Sequence, residues 1–119
     1  MAEIDMEKEI VEYHKMEKLL ESVIMQLGQA KAQKTELERA LETLEKSDAS
    51  DVYKAVGGLF IKVSKDDAVK DLKHTLELLD MRIKSLENQR DSLANKFERI
   101  RKDLEEKLGA GRGGPGGVA

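Results

Sequence analysis

Two histidines, His14 and His74, carry the side chain best suited to chemistry near neutral pH, because imidazole serves both as a metal ligand and as a general base. Neither has the company that such chemistry needs. A metal centre requires further ligands in fixed geometry, and a general base requires a pocket that holds its substrate. In the repeat described below, the two histidines fall on water-facing helix positions that point away from each other. The carboxylates are spread along helical faces rather than paired in a cleft, and no serine or threonine has a base and an oxyanion hole beside it. The segment G-A-G-R-G-G-P-G-G-V-A at 109–119 lacks both a preceding strand and a following G-K-[S/T], so it does not cradle phosphate. Its lone Arg112 makes a poor RNA tract. No catalytic residue, metal or cofactor is expected, and the chain does not read as an enzyme.

The composition agrees. Of 119 residues, 38% are charged and 3% aromatic, with one Pro, no Trp and no Cys, so there are few bulky side chains to fill a layered core. The lack of cysteine excludes disulfides and thiolate metal sites and fits a reducing compartment. A formal charge of −3 gives no basic field for a nucleic-acid backbone. No apolar run approaches the ~20 residues of a membrane span, and the start M-A-E-I-D-M-E-K-E-I is acidic rather than signal-like. A cytoplasmic protein that binds neither nucleic acid nor membrane is expected.

What positions the remaining side chains is a heptad repeat. Met6, Tyr13, Leu20, Leu27 and Leu41 occupy one seam position, and Met16, Val23, Ala30, Leu37 and Leu44 the other, with Glu9 and Lys34 as polar breaks. A second series sets Val69, Leu76, Ile83, Phe97 and Leu104 beside Leu72, Leu79, Leu86, Leu93 and Ile100, broken at Arg90 and Lys107. Neither stripe is stable alone. The economical solution is a chain that turns back in the middle and zips the stripes together as an antiparallel coiled coil. In that register Lys34 faces the region of Leu79 and Arg90 that of Val23, so these two fix register or loosen the seam locally. Gly28 lies on an exposed helix position, either a tolerated surface glycine or a soft point.

Between the helices the pattern changes to Val52–Val56, Gly57-Gly58, Leu59–Val63, which is a hairpin with a two-residue turn. Pairing sets Val56 opposite Leu59, Lys54 opposite Ile61 and Val52 opposite Val63. One face is then apolar except for Lys54, and the other carries Tyr53, Ala55, Phe60 and Lys62. Ser64 or Asp66 is positioned to cap the second helix. A lone two-stranded ribbon is marginal in water, and no further strand in the sequence covers its edges. Oligomerisation through the hairpin follows, with strands closing into a barrel between subunits.

The expected organisation is 1–46 first coiled-coil helix, 47–65 hairpin, 66–108 second helix and 109–119 disordered tail. At the open end, Ile4, Met6, Ile10 and Val11 on the first helix and Ile100, Leu104 and Leu108 on the second exceed what the two helices can bury between them, while Glu9 and Lys107 weaken the seam there. They are either frayed heptad leftovers or adaptable apolar side chains for a partner with exposed hydrophobic surface.

The run D-V-Y-K-A-V-G-G-L-F-I-K-V-S-K-D at 51–66, entering an amphipathic heptad helix directly, resembles the beta-type subunits of the prefoldin family, especially archaeal ones, over residues 6 to 108. One hairpin rather than two is the beta-type mark. The resemblance implies a mainly α fold, with a long antiparallel two-helix coiled coil and one β-hairpin that joins an intersubunit β-barrel. It also implies an ATP-independent holdase built as a hexamer of two alpha-type and four beta-type subunits. The coiled-coil tips of such an assembly hold non-native polypeptide and pass it to a group II chaperonin. Carried onto this sequence, assembly falls to Val52, Tyr53, Val56, Gly57, Leu59, Phe60, Ile61 and Val63, and client binding to Ile4, Met6, Ile10, Val11, Ile100, Leu104 and Leu108. The competing reading from the residues alone is a structural or adaptor coiled coil that binds one folded partner.

Overall fold

The structure, a computed structural model, describes residues 2–111, and the side chains of 5–109. The order is α1 Ala2–Lys46, β1 Asp51–Val56, β2 Leu59–Ser64 and α2 Lys65–Gly111. The second helix begins one residue before the expected Asp66 and ends three residues past Leu108. Residues 112–119 of the glycine-rich tail lie outside the described residues.

The chain divides into two compact units, one formed by the residues up to Gln26 with those from Leu86 onward, the other by Leu27–Ser85. Leu27–Ser85 contains the hairpin and the helix ends that flank it. Its buried side chains are Leu27, Ala30, Leu79 and Ile83, all at seam positions. Lys34, the polar break of this stretch, extends to Asp80 at 2.7 Å, one residue from the Leu79 it was expected to face. The seam thus keeps a charge by pairing it at its rim. In the other unit Val23, Leu86 and Leu104 are buried, and Tyr13 stacks on Phe97 with ring centroids 4.7 Å apart.

The hairpin has the expected register, from Asp51 opposite Ser64 to Val56 opposite Leu59. Gly57 and Gly58 both have positive φ, 52° and 83°, which is the twist a two-residue hairpin turn requires and which β-branched residues resist. Helix α2 starts cleanly because Ser64 Oγ accepts a hydrogen bond from the Asp67 N–H at 3.1 Å. Ser64→Ala is expected to lower unfolding stability by about 1 kcal/mol, read by denaturant titration.

Helix α1 ends by a device that the heptad pattern did not suggest. The Lys65 ammonium donates to the Glu45 and Ser47 carbonyls at 3.2 and 2.6 Å, and the Lys65 N–H donates to the Ser50 carbonyl at 2.9 Å. A cation on the last carbonyls of a helix satisfies orphaned acceptors and complements the helix dipole. One residue therefore ties the end of α1, the strand entry and the start of α2 together.

Gly28 is exposed within α1, and a Cβ there would meet nothing within 4 Å. Gly28→Ala is accordingly expected to stabilise the helix by about 1 kcal/mol, with the gain measured as a higher melting temperature. An unchanged or lower melting temperature would speak against a position free of tertiary constraint.

Candidate functional site

Two surfaces stand out. The first is the hairpin. Val52 and Val63 at its root are half-buried and, with Leu44, Ala68 and Leu72, line a cavity of about 630 Å³ between the ribbon and the flanking helix ends. Lys54, the residue that interrupts the apolar face, reaches Asp71 on α2 at 3.2 Å, and Lys62 reaches Asp51 at 3.5 Å. The cavity and the Lys54–Asp71 pair were not legible in the sequence, because they depend on how the ribbon folds back over α2. Beyond the root both faces are open: Leu59 is 68% exposed and Phe60 77%, and Tyr53, Val56 and Ile61 are exposed as well. No third strand covers either edge among the described residues.

The second surface is the helix pair where α1 begins and α2 ends. Of the residues expected there, Ile10 is 39% exposed, Val11 58% and Leu108 43%. Met6 and Ile100 are half-buried. The Ile4 side chain lies outside the described residues. Leu104 is 8% exposed, so in this chain it belongs to the buried seam rather than to the open surface. Further apolar exposure lies off the seam at Leu19, Ile24 and Met25.

Glu9 and Lys107, each expected to weaken the seam, turn out to face each other, and the Lys107 ammonium donates to Glu9 Oε1. That hydrogen bond, with the nearby charges of Glu9, Asp103 and Asp5, raises Lys107 above the ordinary lysine range against the opposing effect of desolvation. On the outer flank of α2, Arg101 forks between Glu98 and Glu105, so that the helix carries its own i,i+3 and i,i+4 pairs.

The hydrogen bond from Arg101 holds the Glu98 carboxyl below its ordinary value. Because the folded value is depressed, this contribution to the helix is present above the unfolded carboxylate range and is lost as pH falls through the folded value. A side-chain NMR titration should place the Glu98 midpoint below the ordinary glutamate value, and Arg101→Met should raise it.

Among the described residues no cluster of His, Asp and Glu could hold a metal ion, and no helix is long and apolar enough to cross a membrane. What the structure defines is a class, a helix–hairpin–helix coiled coil that carries exposed apolar surface on a charged helical frame.

Comparison with known proteins agrees with that class. A sequence model of the family described as "Prefoldin subunit" matches residues 7–111, both helices and the hairpin, so the chain belongs to the prefoldin family of chaperone subunits. Its similarity is to beta subunits in particular. Prefoldin subunit beta of Methanococcoides burtonii is 35% identical over 104 residues, covering 87% of this chain and 89% of that protein. The same subunit of Pyrobaculum neutrophilum is 37% identical over 97 residues, covering 80% and 76%. The crystal structure of the prefoldin beta subunit from Thermococcus strain KS-1 superposes with a TM-score of 0.79 at 30% identity, covering 87% of this chain and 92% of that one.

Proposed function

We propose that this chain is the beta-type component of a cytoplasmic prefoldin hexamer, assembled with alpha-type subunits through its hairpin. In that assembly it acts as an ATP-independent holdase for non-native polypeptides, which it hands to a group II chaperonin. The observation that carries this reading is the family match across the whole helix–hairpin–helix unit, residues 7–111. The exposed hairpin supports the assembly half, because an apolar ribbon with two unpaired edges reaches low free energy when strands from other subunits pair with it.

The holding half rests on Ile10, Val11 and Leu108, exposed where α1 begins and α2 ends. Burial of client surface drives capture at about 25 cal/mol per Å², with no bond made or broken. Several such ends on one body multiply weak grips into useful avidity. Release follows when a tighter acceptor competes for the client.

Light scattering after size exclusion, on the chain alone and mixed with an alpha-type subunit, tests the assembly. A mixed species near six chains supports it, and a chain that stays monomeric or dimeric in both cases overturns it. Breadth of protection tests the activity: a holdase suppresses aggregation of several unrelated denatured clients at near-stoichiometric amounts, whereas an adaptor for one folded partner protects none.

A further inference from the structure

We infer that the Glu9–Lys107 ion pair is a clasp that closes the arm end over part of its own client-binding surface, so that client binding and clasp closure compete. The inference rests on the holdase reading above. Its basis is that the residues suited to holding a client are unequally available. Ile10, Val11 and Leu108 are open, while Leu104 is buried and Met6 and Ile100 are half-buried in the seam between α1 and α2. A client that engages Ile100, Leu104 and Leu108 together, which share one face of α2 at i, i+4 and i+8, reaches Leu104 only if the two helix ends part.

A polar contact joins them within this stretch of seam, beside the apolar burial of Leu104. Glu9 and Lys107 both occupy seam positions, on opposite helices, and are joined side chain to side chain. The closure is poorly made. Glu9 Oε2 is buried without a hydrogen-bond partner, a cost that an apolar pair at the same place would not carry. A contact that gains on one carboxylate oxygen and loses on the other leaves the closed and open ends close in free energy, the condition for a ligand to shift the balance. Opening has a natural limit at the Tyr13–Phe97 stack, the next large contact inward. The end of α2 that is released keeps its own side-chain pairs, because Arg101 is tied to Glu98 and Glu105 on α2 itself and needs nothing from α1.

The test uses three variants of the full chain, each mixed with an alpha-type subunit and read by hydrophobic-dye binding and by the amount needed to halve aggregation of a denatured client. Lys107→Glu sets a carboxylate against Glu9 with Asp5 and Asp103 nearby, and should raise dye binding and lower the required amount about two- to fivefold, the size of a surface ion-pair coupling. The charge swap Glu9→Lys with Lys107→Glu restores the pair and should return both readings toward the unmodified chain. Glu9→Leu with Lys107→Leu closes the seam with apolar contact, and should cut dye binding and raise the required amount about tenfold.

Circular dichroism on each variant separates opening from loss of helix, since an opened end keeps its helicity. If the unmodified chain protects clients and all three variants match it, the clasp is wrong and the holdase reading stands. If the unmodified chain protects none, the holdase reading itself has failed. Better protection by the leucine pair than by the unmodified chain would also overturn the clasp.

Discussion

A chain trimmed of residues 1–10 together with 101–119 is expected to assemble with an alpha-type subunit as the full chain does, and to lose its suppression of client aggregation. The cut removes Met6, Ile10, Leu104 and Leu108 and leaves the unit Leu27–Ser85 with its hairpin, its Lys65 cap and its buried Leu27, Ala30, Leu79 and Ile83 untouched. The expected loss is large because binding through several arm ends is multiplicative. Of the side chains assigned to client binding only Val11 and Ile100 remain, so every end is weakened at once and the loss approaches the whole avidity factor, on the order of 10²–10⁴, rather than that of one contact. The measurement is turbidity of two unrelated denatured clients at equal chain concentrations, with the assembly's mass determined in parallel. Equal protection by trimmed and full chains would show that clients bind elsewhere, and the exposed Leu19, Ile24 and Met25 would then be the first place to look.

The second large effect is expected at the other surface. Leu59→Asp combined with Ile61→Asp should abolish the mixed assembly while leaving each chain's helicity intact. Both residues are exposed on the isolated hairpin, so the charges cost little in the single chain. In a closed barrel they would be taken out of water without partners, at several kcal/mol in total, enough to weaken association by more than about a thousandfold. Helix α2 keeps its start through the Ser64 cap, and α1 keeps its end through Lys65. Light scattering should therefore find separate chains with an unchanged far-ultraviolet spectrum. A six-chain species that survives both substitutions would place the assembly interface outside the hairpin face.

These two surfaces were unequally legible in the sequence. Periodicity marks which side of a helix or strand faces inward, and it did so here for both seams: every described seam residue from Met6 to Leu44 is buried or half-buried. The hairpin was equally readable, because a Gly-Gly pair between two β-branched runs permits one tight turn, and that turn fixes the register from Val52–Val63 to Val56–Leu59. The Ser64 cap was readable for the same reason, since donor and acceptor lie three residues apart on one chain.

Contacts between elements were not readable in this way. Glu9 and Lys107 each appear in the sequence as an isolated flaw in a seam, and only the axial stagger of two helices decides that they meet. The same stagger buries Leu104 while leaving Leu108, one turn on, exposed. Lys54 interrupts an apolar strand face until the ribbon folds over α2 and brings Asp71 within reach, and Lys65 is an ordinary helix-entry lysine until its side chain finds the carbonyls of Glu45 and Ser47. The sequence by itself determined the helices, their inner faces, the turn and the hairpin register, because those follow from interactions between residues close along the chain. The tertiary structure alone decided which charges pair and which apolar residues stay open, because side-chain periodicity carries no information about the height at which one element stands beside another.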